Sequence, residues 1–438
     1  MRQVGWLAGL LAAILVLPSA KPGIAQQLSL EDALKIAGRN APTTQIARHQ
    51  VIAANARVKA AESAFYPQFG INSSYVSSDN PVQAFMFALN QRKFSLSSDV
   101  NNPPRADNWQ LSIQGGINLF SGGSSISNRR AARYALDGQT SMERATANEV
   151  ALQVIGAYLA VLTAQESKRA SEAATNSYAV AESVSAARVE AGTALKTDLL
   201  NIQVQRIQSE ERQLRADNEM TLAKERLRFA LGLEALPYHE FSSIDQVKLI
   251  EVDVEAPSTR PELEARTAFA KAARSELSAA RGSYLPSVNL FASADRYQGW
   301  EFDGTGDDWT IGVRAHWAVF DGFLTRANVR EKSAQFQIAE EEARMAKMQM
   351  DLELTTARSS VAEATQRVAV MTKAAALASE SAVLTRQRFE QGLLITSQVI
   401  DAENVLVQAE VGLVQAKADR LKAIALLRRA LNLSIVGE

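Results

Sequence analysis

The sequence predicts a mainly α-helical chain with a small membrane-inserted β part, built from two copies of one unit. Three observations carry that expectation. Trp109 to Gly122 (WQLSIQGGINLFSG) returns two hundred positions later as Trp309 to Gly322 (WTIGVRAHWAVFDG). Each copy of that stretch leads into a run almost free of helix breakers: Phe323 to Gln391 has no Gly or Pro, and Ser124 to Ala191 has only Gly138 and Gly156. Period-two alternation is confined to four short segments.

The chain begins with Arg2, an apolar run from Leu7 to Leu17 and a small-residue site ending at Ala25. This reads as a secretory signal peptide over 1–25, because eleven apolar residues fall short of the roughly 20 that a spanning helix needs. Removing Arg2 and Lys21 takes the formal charge from −1 to −3. No later segment reads as a spanning helix, so an exported chain should be soluble or enter a membrane as strands. With no cysteine and only three histidines, 438 residues offer no disulfide framework, no zinc site, no cysteine-borne lipid and no basic face for nucleic acid.

The first copy covers 26–233 and the second 259–438, with 234–258 as an unmatched linker. Arg188 to Gly192 returns as Arg388 to Gly392, and Phe229 to Leu233 as Arg429 to Leu433, both shifted by 200. Upstream, Pro42 and Phe65 to Pro67 match Pro261 and Tyr284 to Pro286 at a shift of 219. The extra 19 residues of the first copy therefore form a longer loop between Pro67 and Trp109. Each copy reads helix, strand, loop, strand, very long helix, turn, helix.

The strands have one apolar and one wet face. Trp109, Leu111, Ile113, Ile117 and Leu119 oppose Gln110, Ser112, Gln114 and Asn118, while Trp309, Ile311, Val313, Trp317 and Val319 oppose Thr310, Arg314 and His316. Phe69, Ile71 and Tyr75 alternate with Gln68, Asn72 and Ser74; Val288, Leu290 and Ala292 alternate with Ser287, Asn289 and Ser293. Segments of about ten residues with terminal aromatics suit tilted membrane strands, with Trp109, Trp309 and Trp317 as a lipid-facing girdle. A half-buried soluble sheet would need a covering layer that the rest of the chain does not supply. Four strands cannot close a barrel, so two or three chains must pool them, and the polar inner faces lean toward three. The breaker-free runs, about 100 Å long at 1.5 Å per residue, turn back into Thr197 to Leu231 and Thr396 to Leu433 as antiparallel coiled pairs.

Other constellations carry little. Asp303 to Asp308 (DGTGDD) has calcium-loop spacing, but Arg314 stands where the twelfth position needs Glu, so an exposed loop tip is expected. His49, His239 and His316 have no ligand spacing, and Arg129–Arg130 reads as a solvated charge pair. No nucleophile elbow, phosphate loop or dinucleotide fingerprint occurs. No catalysis, metal or cofactor is expected.

The opening LSLEDALKIAGRNAP, the pair AFYPQFGINSSY and SYLPSVNLFASADRY, the strand ends NLFSGG and AVFDGF, and the turns RVEAGTALKTDLL and RFEQGLLITSQVI together resemble the TolC-like outer membrane efflux proteins. The resemblance spans essentially the whole mature chain. It implies a homotrimer with a 12-strand β-barrel in the outer membrane of a diderm bacterium, continued by a 12-helix α-barrel across the periplasm. It further implies a passive duct of a tripartite efflux or type I secretion machine, coupled through a periplasmic adaptor to an inner membrane RND or ABC transporter. The turns Gly192, Thr193, Leu195, Lys196, Gly392, Leu393 and Ile395 would dock the adaptor. Thr197, Asp198, Gln398 and Asp401 would line the closed aperture, with Gln398 where a second carboxylate is usual and Leu394 where some members carry a bridging Arg. On the residues alone, Asp198 could equally favour the start of its helix, and the glycines could serve the turns alone. A periplasm-spanning tether anchored by its strands is the rival reading; a diffusion porin would spend its length on strands.

Overall fold

The computed structural model describes residues 27–96, 99, 101–247, 249 and 259–433; the expected signal peptide lies outside them, as does most of 248–258. The first copy runs α1 (Leu30–Asn40), α2 (Pro42–Glu62), β1 (Gln68–Ser78), α3 (Pro81–Asn90), β2 (Ala106–Ser121), α4 (Ser124–Glu190) and α5 (Lys196–Leu231). The second runs α6 (Pro261–Gly282), β3 (Ser287–Gly299), β4 (Gly304–His316), α7 (Leu324–Glu390) and α8 (Thr396–Ala430). Among the described residues helix α1 has no partner in the second copy, and α3 lies in what the sequence reads as a loop.

The duplication reaches local chemistry. At the head of α4, the Ser121 hydroxyl accepts from the Ser125 N–H at 3.2 Å; at the head of α7, the Asp321 carboxylate takes the same role for Thr325 at 2.8 Å. Both helices are 67 residues long, about 100 Å. Each also contains an 18-residue stretch apolar enough to cross a membrane by length and composition, which the sequence reading passed over. Those stretches belong to helices of far more than spanning length, and in α4 the apolar residues pack on neighbouring helices.

The four strands form one antiparallel sheet in the order β1-β2-β3-β4. Its register confirms the expected faces. Ile71, Ile113, Ala294 and Trp309 stand side by side in one row, and Asn72, Ser112, Asp295 and Asp308 in the next. Phe69, Ile71, Trp309, Ile311 and Val313 are bare on the apolar side. On the wet side Gln110 donates to Asp295 at 2.9 Å and Asn118 to Asn289 at 3.0 Å. Trp317 sits one residue past β4, its indole donating to the Tyr284 carbonyl at 3.1 Å. The DGTGDD stretch is mostly strand: only Asp303, at φ 43°, belongs to the turn, and β4 starts at Gly304. The outer strands β1 and β4 each have one unpaired edge among the described residues.

The helices follow the same order. α4 packs against α2, α5, α6 and α8, whereas among the described residues α7 touches only α6 and α8 extensively. The main core lies where α1, α4, α5 and α8 meet, around Tyr158, Ile155, Leu162, Leu227 and Ala425. The described part of the inter-repeat segment packs into it: Phe241 bridges Leu28 in parallel, and Tyr158 donates to the Leu28 carbonyl at 2.7 Å while accepting from the Ser242 N–H at 3.3 Å.

Candidate functional site at the hairpin tips

The far ends of α4 and α7 are reversed by the same device. Gly192 has φ 73° and Gly392 φ 84°, a left-handed conformation that only Gly adopts cheaply at the end of a helix. Gly192 donates to the Val189 carbonyl at 3.1 Å and Thr193 to Arg188 at 2.9 Å; Gly392 donates to Phe389 at 3.0 Å and Leu393 to Arg388 at 2.9 Å. No atom lies within 4 Å of where a Gly192 side chain would begin, so conformation and not crowding demands glycine there. Around the turns Thr193, Lys196 and the apolar side chains of Leu195, Leu393 and Ile395 are exposed.

Behind the turns a small apolar cluster ties one hairpin to the other. Ala181 of α4 and Ile202 of α5 pack with Phe389 of α7 and Val399 of α8, flanked by Val184, Leu394 and Ile400. Arg188 closes the cluster, its guanidinium 4.6 Å over the Phe389 ring and bonded to the Phe389 carbonyl. Leu394, where a bridging Arg was the alternative, is therefore part of an apolar tie. Sequence reasoning missed Arg188 and Phe389 as a pair. The signal was the mismatch between Val189 and Phe389 inside otherwise matched turns.

A polar layer follows along the helices. Arg386 pairs with the buried Glu403 at 2.9 Å. Tyr178 and Arg212 each donate to the Asn404 side chain at 3.2 Å, and burial pushes the Tyr178 phenol up. Arg206 and Gln203 both donate to Glu182, whose carboxyl is held below the usual range by those two bonds.

The expected aperture residues divide between the hairpins. Gln398 and Asp401, both exposed, share one groove between α7 and α8 with Ser381 and Thr385. The Gln398 amide oxygen accepts from the Ile395 N–H at 3.4 Å, a helix-start role. Exposed Thr197 and half-buried Asp198 occupy the first turn of α5 on the other hairpin. Among the described residues no hydrogen bond or ion pair joins the two pairs. The chain alone brings Gln398 and Asp401 together, and leaves Asp198 apart.

A family model described as outer membrane efflux protein matches residues 33–233 and 254–433. The outer membrane efflux protein BepC of Brucella suis is 29% identical over 174 residues, 37% of this chain and 36% of that protein. The chain thus matches about a third of that relative's length. Among solved structures, CusC superposes with TM-score 0.79 at 15% identity, covering 93% of this chain and 92% of that one. The CmeC outer membrane channel of Campylobacter jejuni gives 0.80 at 14% identity, covering 92% and 85%. These structural likenesses describe a shared fold.

Proposed function

Since this chain belongs to the outer membrane efflux protein family, we propose that it is the passive outer membrane duct of a tripartite efflux or type I secretion machine. The observation that carries the reading is the pair of open edges. Among the described residues β1 and β4 each lack a partner on one side, and α2 and α7 flank the helices in the same order. An open sheet edge is not tolerated in lipid, so copies must close head to tail into a ring.

The joint between the two copies within the chain, β2 on β3 and α4 on α6, supplies the pattern for the joint between chains. Shifting it by the repeat spacings sets β4 on β1 and α7 on α2 of the next subunit. Three chains then give 12 strands around a wet lumen and 12 long helices around a tunnel. Trp109 and Phe120, near opposite ends of β2, are about 37 Å apart along the strand, or about 26–31 Å along the membrane normal at the usual tilt. That matches a hydrocarbon layer edged by aromatics, Trp109 and Trp309 toward one border and Trp317 toward the other. The exposed turns at Gly192 and Gly392 are the docking points for adaptor hairpins, and the Asp198 and Asp401 levels form the aperture.

Single-channel recording on the purified assembly in a planar bilayer tests the duct. We expect three-chain assemblies that conduct; a protein of three-chain mass that neither conducts nor supports export in cells would make it a tether. Gly192→Trp and Gly392→Trp should leave assembled protein in the outer membrane and abolish export. Normal export from both would place the docking elsewhere.

A further inference from the structure

At the opposite end of the sheet from the tips, α3 occupies the β1–β2 connection. Asn80 caps it, accepting from the Val82 and Gln83 N–H groups at 3.0 and 3.3 Å. The register decides on which side of the sheet it lies. Gly299 of β3 has the parity of Asn289, Ser293 and Asp295, and Gly304 and Gly306 of β4 have that of Thr310 and Arg314, so all three glycines open onto the wet face. A side chain at Gly299 would begin 2.1 Å from the Gln91 Oε1 atom, at Gly304 2.7 Å from Lys93 Cγ, and at Gly306 1.9 Å from the Asn90 carbonyl oxygen. The end of α3 therefore rests on the wet face, through space that only three missing side chains leave. Gln91 is fully buried there, donating to the Asp107 carbonyl at 2.6 Å, and Arg92 donates to the Asp307 carbonyl at 2.9 Å.

α3 starts at the end of β1 and finishes over the β3–β4 hairpin. Its ten residues span about 15 Å, close to the width of three strand spacings. It thus crosses the whole share of the mouth that one chain contributes. Ala84 faces inward at 2% exposure, while Val82, Met86 and Leu89 form a stripe on the other side at 72%, 48% and 41% exposure. An apolar stripe on the lumen side of a wet barrel has no lipid to face.

We propose that the α3 helices of the assembled ring meet across its mouth through Val82, Met86 and Leu89 and form an apolar outward seal. The proposal rests on the ring described above. In that ring every wet face looks toward the axis, and the occupant of each stripe is α3 of the partner subunit. An apolar constriction closes a pore by excluding water and needs no fixed ionic lock.

The chain has no cysteine, so a Met86→Cys variant carries a single thiol per subunit. In purified assemblies, oxidation or a short bis-maleimide should convert most of it to a covalently linked pair of chains. Oxidation should lower the conductance severalfold, and reductant should restore it. The triple change Val82→Glu, Met86→Glu and Leu89→Glu should raise resting conductance severalfold while the assembly keeps its mass. A control separates this from the ring itself. Ile113 pairs with Ala294 within the chain, so the repeat spacings set Val313 against Tyr75 of the partner subunit, and Val313→Cys with Tyr75→Cys should link all chains. Linkage there without linkage at position 86, or conductance unmoved by the triple change, overturns the seal and leaves the ring standing. Failure at both positions in a protein that is not of three-chain mass overturns the ring and the seal with it.

Discussion

α4 and α7 have the same length, the same turn at one end and the same cap at the other, yet their surroundings differ. Of the most apolar 18-residue stretch in each, 44% is buried in α4 and 11% in α7. The contrast is sharpest at equivalent positions. Leu152 packs against the main core, whereas Leu352, two hundred residues on, is 60% exposed. Ile338, Met345, Met348 and Val370 continue the exposed apolar surface along α7. Duplication gave both helices the same kind of face. Among the described residues only α4 has a neighbour on both flanks, and the bare flank of α7 is the one that the proposed ring would cover.

The largest effect should come from the buried side of that contrast. Tyr158→Ala removes a fully buried ring and the hydroxyl that holds Leu28 and Ser242, and should cost about 3–5 kcal/mol, read from denaturant unfolding in detergent. Next is the ion network at the base of α6. Arg260, 2% exposed, bonds Glu262 at 3.0 Å and Glu353 of α7 at 2.7 Å, and Arg429 bonds Glu262 at 3.2 Å. Arg260→Ala leaves the half-buried Glu262 and Glu353 carboxylates partly uncompensated and should cost about 1.5–3 kcal/mol, and it should loosen α7 more than α4. Equal loss of hydrogen-exchange protection in both helices would break the comparison.

Acid should act on the same network. Burial pushes the Glu262 carboxyl up, but the bonds from Arg260 and Arg429 outweigh it, so the group titrates below the usual Glu range. Its contribution is complete above the unfolded value of about 4.3 and lost as pH falls through the depressed folded value. Glu262→Gln should therefore flatten the acid limb of a melting-temperature profile and lower it near neutrality. An unchanged acid limb would remove Glu262 from the account. Smaller again, Leu152→Ala should cost about 1–2 kcal/mol in the folded chain, because Leu152 is only half-buried, and Leu352→Ala should leave chain folding nearly unchanged while lowering the temperature at which the assembly dissociates. Identical behaviour of the two would mean that α7 stays bare. The subtlest test is at the tips: Asp198→Asn with Asp401→Asn should reduce cation selectivity in bilayer recordings with assembly intact. Unchanged selectivity would make both residues helix-end carboxylates.

Much of the fold was legible because period and breakers report local geometry. The alternation from Trp109 to Asn118 placed each side chain on the face the register gives it, whereas an irregularity after Asn118 sets Phe120, and not Leu119 as expected, opposite Val288; Gly192 and Gly392 marked the reversals. α3 was passed over as part of an extra 19-residue loop, although Asn80 followed by Pro81 is a helix start. What the sequence could not reveal was contact across the chain. Arg188 stacks on Phe389 because two hairpins lie side by side, and no spacing within either hairpin encodes that. Asp198 and Asp401 matched one pattern by position, while the chain keeps them on separate hairpins.

Joining two copies through residues 234–258 also changes how such a ring comes together. Six single repeats would have to meet in five separate encounters before the last joint closed the ring, each opposed by about 4–15 kcal/mol of lost translational and rotational freedom. With the copies tethered, half of the joints form at the high effective concentration that a short connection imposes. The packing of Phe241 against Tyr158, 6.2 Å between ring centres, fixes that connection to the core. In the proposed ring the internal joint would be set before any second chain arrived, and its geometry would be the mould for the later joints.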